Sequence, residues 1–229
     1  MAQITNNTGH FKSFAVHTTA QKVTLILVIF YIVGVIGFIV PQTHHLFLML
    51  TKWALMLNFG LLIWFHQTKF TLKSVLVFSA IFLFGFLIEV VGVNTGIIFG
   101  NYQYGSGLGI KIMNTPLMIG VNWLMLSYCF FAIFAPLSIH KWLKIAYSAL
   151  GMLIYDLILE QSAGILDMWY WVGNSIPLLN YLSWLIVAAF LQYILHLSKI
   201  SIINPLAKAI LWCQGIFFLL LAIYKFTFL

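Results

Sequence analysis

Acidic residues are nearly missing from this chain: of 229 residues only four are Asp or Glu, and arginine is absent altogether. Charged residues of both signs make up 7%, against roughly 25% in an average soluble domain. So little charge excludes a soluble globular enzyme, which could not cover its surface, and a disordered segment, which would be far more polar. Cysteine is scarce too. Cys129 and Cys213 both sit in apolar runs, where they read as small core residues and exclude a disulfide-stapled secreted module.

What the chain does have is hydrophobic bulk. Apolar residues make up 63% and the mean hydropathy is +1.05, so the solvent that suits the sequence is a bilayer. The net charge of +7 comes from eleven lysines. In a soluble protein a pI near 9.4 would raise nucleic acid as a partner. These lysines are scattered singly or in pairs between apolar runs, with no basic stripe, so nucleic acid is rejected.

A crossing helix needs about 20 mostly apolar residues. Seven segments meet that length, 23–40, 46–65, 74–93, 116–135, 143–160, 181–198 and 206–228, which predicts an all-α polytopic integral membrane protein. Pro41 closes the first and Pro205 opens the last, positions where a missing amide costs little. The chain divides into a polar amino-terminal segment, 1–22, holding His10, Lys12, His17 and Lys22, and a single transmembrane domain, 23–228. No short basic start with a small-residue cleavage site is visible, so the first span reads as an anchor. Alternating the loops puts Lys12, Lys22, Lys69, Lys73, Lys141, Lys144, Lys199 and Lys208 on the amino-terminal side and only Lys52, Lys111 and Lys225 on the other. The lysine excess marks the cytoplasm, which predicts a cytoplasmic amino terminus in the cell's inner membrane.

Two connections are long, 94–115 with five glycines and 161–180 with two tryptophans and a tyrosine. Both fall on the non-cytoplasmic side. Their length marks them as functional or disordered, and their apolar, aromatic character predicts that they fold back onto the helices. The GSGLG at 105–109 follows no strand, so it reads as a loop rather than a phosphate cradle.

The four acids, Glu89, Asp156, Glu160 and Asp167, all gather toward that same side. Carboxyls inside spans are costly and commonly functional. Asp156 and Glu160, four apart, share a helix face. Gly85, Gly92 and Gly96 flank Glu89 at helical offsets and let a neighbouring helix come close. Each acid alone could simply bond a neighbour. Together in a dry site they suit general acid–base work, such as protonating an alkene and handling a water, or a proton relay. Metal chemistry is not expected, because the seven histidines form no ligand spacing. Tyr102, Tyr104, Trp123, Trp169, Tyr170, Trp171, Tyr181 and Trp184 crowd the same side. They read either as an interfacial belt or as ring faces that stack on a polyene and stabilise a cation. Asn122 and Asn180 read as interhelical glue or as groups that orient a carboxyl or a water.

Glu89-x-x-Gly92 with Thr95-Gly96, Phe99-Gly100-x-Tyr102-x-Tyr104, Leu108-Gly109, Pro116, Trp123, Tyr155-Asp156, Trp169-x-Trp171, Pro177, Asn180 and Trp184 follow one another in an order that resembles the membrane-integral carotenoid hydratase family. The resemblance covers about 85–185. The chain departs from the family pattern at Ile98, where members often carry proline, and at Glu160-Gln161, where they tend to read Asp-Pro. The resemblance implies a cofactor-independent carotenoid 1,2-hydratase, a hydro-lyase that adds water across the terminal C1=C2 bond of an acyclic ψ-end carotenoid. It implies a lipophilic substrate taken from the bilayer, contact with membrane lipids, and other enzymes on carotenoids as partners. Glu89 and Asp156 are expected as the essential pair with Glu160 assisting. Tyr102, Tyr104, Asn122, Trp123, Asp167, Trp169, Trp171, Asn180 and Trp184 are expected at the substrate. Competing readings are a cyclase that loses a proton from the same cation, a proton-coupled transporter, and a lipid-binding or assembly subunit without activity.

Overall fold

The structure is a computed structural model that describes residues 7–228, with side chains from Thr18 onward. Residues 1–6, and the side chains of His10, Lys12 and His17 from the polar segment, lie outside the described residues. Among the described residues seven helices are long and apolar enough to cross a membrane: α1 (Asn7–Ile39), α2 (Pro41–Trp64), α3 (Leu72–Thr95), α4 (Leu117–Phe134), α5 (Lys141–Ser162), α6 (Leu178–Ser198) and α7 (Ala207–Phe228). The chain is an all-α polytopic membrane protein.

Helix ends follow local chemistry. Pro41 does more than end α1: it occupies the first turn of α2, so α2 starts five residues earlier than the hydropathy predicts and takes in His44 and His45. Thr71 caps α3, with the Ser74 amide donating to its hydroxyl (3.1 Å) and its own amide donating to the Ser74 hydroxyl (2.8 Å). At the other end Gly96 takes a left-handed φ of 68°, the conformation that stops a helix at least cost in glycine.

Helix α4 is the innermost, with almost every side chain from Met118 to Cys129 buried, which is why it is apolar on all faces. Helix α3 packs on α4, α5 lies between α6 and α7, and α1 leans on α2 and α7. Exposed Leu, Ile and Val side chains cover the outside of α1 and α2, as lipid contact requires.

The two long connections do fold back, and they do so by pairing. Strand β1 (Tyr102–Tyr104) runs antiparallel to β4 (Trp169–Trp171), with Tyr102 opposite Trp171, Gln103 opposite Tyr170 and Tyr104 opposite Trp169. A small hairpin of β2 (Lys111–Ile112) and β3 (Thr115–Pro116) leads into α4. Hydropathy shows neither. Side chains alternate along a strand, so Tyr102, Tyr104 and Trp169 are buried and Trp171 partly so, while Gln103 and Tyr170 face outward. The ribbon is therefore a lid whose underside is aromatic.

Candidate active site

Under this lid the carboxyls of α3 and α5 meet the aromatic tips. On α3, Gly85 has no side chain and the Trp123 Cβ packs into that space, which brings the α4 indole onto Glu89. Trp123 Nε1 donates to Glu89 Oε1 (3.0 Å). From β1, the Tyr102 and Tyr104 hydroxyls donate to Glu89 Oε2 at 2.6 and 2.7 Å. From β4, Trp169 Nε1 and Trp171 Nε1 donate to Glu160 Oε2 at 2.9 and 2.8 Å. Each strand of the ribbon thus serves a different carboxyl. Asn180, at the start of α6, donates to Glu160 Oε1 (3.2 Å) and to Asp156 Oδ2 (3.3 Å). All three carboxyl residues are at most 6% exposed. Burial holds both the Tyr102 and Tyr104 phenols well above their ordinary range, so both keep their protons.

A cavity of about 20 Å³ lies among these groups, and a single water needs roughly 10–15 Å³. Its walls include Glu89, Tyr102, Tyr104, Asn122, Trp123, Glu160, Trp169, Trp171, Asn180 and Trp184. Trp123 and Trp184 stack at 4.0 Å between centroids, 25° from parallel. Phe99 and Ile119 also line it. Phe99 stood in the sequence motif without being expected at the site, and Ile119 was missed, because one apolar side chain among so many carries no chemical signal.

Two expectations come out differently. The sequence reading pairs Glu89 with Asp156, but the second carboxyl on the cavity wall is Glu160; Asp156 sits one turn behind it and reaches it through Asn180. Asp167 is expected at the substrate, yet it does not line the cavity. Its Oδ2 accepts from the Ser106 amide (2.8 Å) and from the Ser106 hydroxyl, and its Oδ1 accepts from Tyr170 (2.8 Å). The 105–107 stretch wraps it, with the Gly105 amide donating to the Met168 carbonyl and the Gly107 amide to that of Asp167, both at 2.8 Å. Asp167 ties the two long connections together. Burial pushes its carboxyl up, but the Ser106 and Tyr170 hydrogen bonds and the Lys111 charge outweigh that and hold it below the usual range.

Roomier clefts exist between α2, α3 and α4 (about 490 Å³) and between α1, α2 and α7 (about 340 Å³). Their walls are almost wholly apolar and carry no carboxyl, as lipid-facing seams of a helical bundle would be. A still larger cleft of about 870 Å³ carries Asp167 and Lys225, but Glu89 and Glu160 come together at the small cavity.

The arrangement offers two buried carboxyls with unlike surroundings around room for one water. The neighbours of Glu160 are all N–H donors, with no acceptor among them, which suits an ionised carboxylate. The two tyrosine hydroxyls on Glu89 can donate or accept, so that carboxyl can carry a proton. In comparisons with known proteins, a family model described as carotenoid biosynthesis protein matches residues 44–228. No curated protein and no solved structure matches the chain.

Proposed function

The chain belongs to the carotenoid biosynthesis protein family, and on that premise we propose that it hydrates the terminal C1=C2 bond of an acyclic ψ-end carotenoid, without a cofactor. The observation that carries this reading is the pair Glu89 and Glu160 on the walls of a cavity sized for one water. Glu89 delivers a proton to C2, which leaves a tertiary cation at C1. The faces of Trp123, Trp184 and Trp171 stabilise that cation. Water held by Glu160 bonds through its oxygen to C1 and gives a proton to the Glu160 carboxylate. That proton returns to Glu89 before the next turnover, so alkene and water become a tertiary alcohol with nothing left over. Asn180 and Asp156 position Glu160. A substrate end needs more room than one water, so the ribbon or the helices behind it give way as the substrate arrives from the bilayer. Lysine asymmetry supports a cytoplasmic amino terminus, which puts the ribbon on the outer side of the inner membrane.

The test is expression in a bacterial host that makes lycopene and γ-carotene, followed by chromatography and mass spectrometry of the pigments. The expected result is a more polar pigment heavier by one water. Glu89→Gln and Glu160→Gln should each lower its yield by about 10²–10⁴, with the protein still inserted; Asp156→Asn should lower it less. Unchanged pigments, or full activity in both glutamate variants, would sink the reading. A product of unchanged mass with an altered spectrum would favour cyclisation.

A further inference from the structure

We propose that the seam between α4, α5 and α6 holds a short file of water that feeds the carboxyl cavity from the side away from the ribbon, with Gln192, Ser127 and Asp156 as its polar stations. The inference rests on the hydration reading, since it supplies the water that each turnover consumes.

Helix α5 presents Ser148, Met152, Asp156 and Glu160 at intervals of four, along one face. The first three have no exposed surface, and neither have Ser127 on α4 and Gln192 on α6. Gln192 Nε2 donates to the Ser127 carbonyl oxygen (2.9 Å) and lies 3.5 Å from the Met152 sulfur. Met152 is one turn, about 6 Å along the helix axis, from Asp156. Yet Gln192 Oε1, Ser127 Oγ and Asp156 Oδ1 are buried without a protein partner, and so is His196 Nε2 one turn further along α6. An unpaired buried polar atom costs stability, and such atoms in native structures are commonly satisfied by ordered water. Two further unpartnered atoms, Asn58 Oδ1 and Gln214 Nε2, lie elsewhere. Gln214 accepts from Tyr155 and Asn58 donates to Tyr31, so they belong to the contacts among α1, α2, α5 and α7. The unmet atoms of Gln192, Ser127 and Asp156 mark one seam, and Asn180 continues it to Glu160. Water arriving there meets the carboxylate that directs it onto C1.

The test has two parts, both on the full chain in nanodiscs. X-ray radiolysis oxidises a methionine where water is close to its sulfur. Met152, 0% exposed, should be labelled roughly tenfold faster than Met125, 2% exposed on the apolar cleft of α2, α3 and α4, because water and not exposure sets the rate. Gln192→Leu with Ser127→Ala should bring Met152 down to the Met125 rate. In the pigment assay the same double variant should shift products from hydration toward proton loss by roughly tenfold or more, since two buried polar groups of the file are lost. Equal labelling of Met152 and Met125 in the wild type overturns the file without any variant having to fold. An unchanged product ratio overturns its feeding role. If Met152 labels fast while the wild type hydrates nothing, the water file stands and the hydration reading falls.

Discussion

Asp167 shows how a single residue can be conspicuous and still stand apart from the cavity where Glu89 and Glu160 meet. Only four acids occur in the chain, so each stands out, but what an acid does depends on which donors its neighbours turn toward it. Four hydrogen bonds at or beside Asp167, from the Ser106 amide and hydroxyl and from the Gly105 and Gly107 amides, join the two long connections. Because its carboxyl is held below the ordinary value, the stability it contributes is fully present above about pH 4 and lost as the pH falls through its lowered value in the folded state. The group is only partly buried, so the effect is modest. Thermal melts in detergent should show a deficit of Asp167→Asn relative to wild type at neutral pH that shrinks on acidification. A deficit independent of pH would contradict this role. Glu89 and Glu160 were legible as functional candidates from their cost in a membrane. The order of Glu160 and Asp156 at the cavity was not, since helix spacing puts both on one face and cannot say which of them Asn180 and the two indoles turn toward the cavity.

Strands β1 and β4 are three residues each, too short for a period of two to rise above the apolar background. Tyr-x-Tyr and Trp-x-Trp stood in the sequence, but their pairing joins segments more than sixty residues apart, and no local pattern fixes that. Six of the seven helices, by contrast, were legible to within about five residues of their ends, because a run of apolar residues long enough to cross lipid has few alternatives; α1 is the exception, since its helix begins at Asn7 in the polar segment, sixteen residues before the apolar run. The ribbon depends on close backbone approach at Gly105, where an added side chain would collide with Asp167 backbone and carboxyl. Gly105→Val should therefore pull Tyr104 from Glu89, cost roughly 1–3 kcal/mol through overpacking, and remove most turnover while far-UV helix content holds. Gly60→Ala, on α2 with nothing within 4 Å of the new methyl group, should leave turnover unchanged. Equal activity in both variants would mean the ribbon does not organise the site.

At the scale of the molecule, nearly all of the chain is apolar scaffold around one small cavity walled by carboxyls. The apolar surface meets lipid, the innermost helix α4 contributes Trp123, and the lid brings its phenols and indoles down onto carboxyls from two other helices. The amino-acid composition predicted the membrane and the motif order predicted the family; the one-water size of the cavity depends on packing that no sequence pattern records. The most direct measurement is to incubate the purified protein, in nanodiscs loaded with a ψ-end carotenoid, in water enriched in heavy oxygen. Hydration at Glu89 and Glu160 predicts a pigment that gains one oxygen from the solvent, at the tertiary carbon, and none from dioxygen. A pigment that gains no oxygen, or gains it from dioxygen, would contradict it.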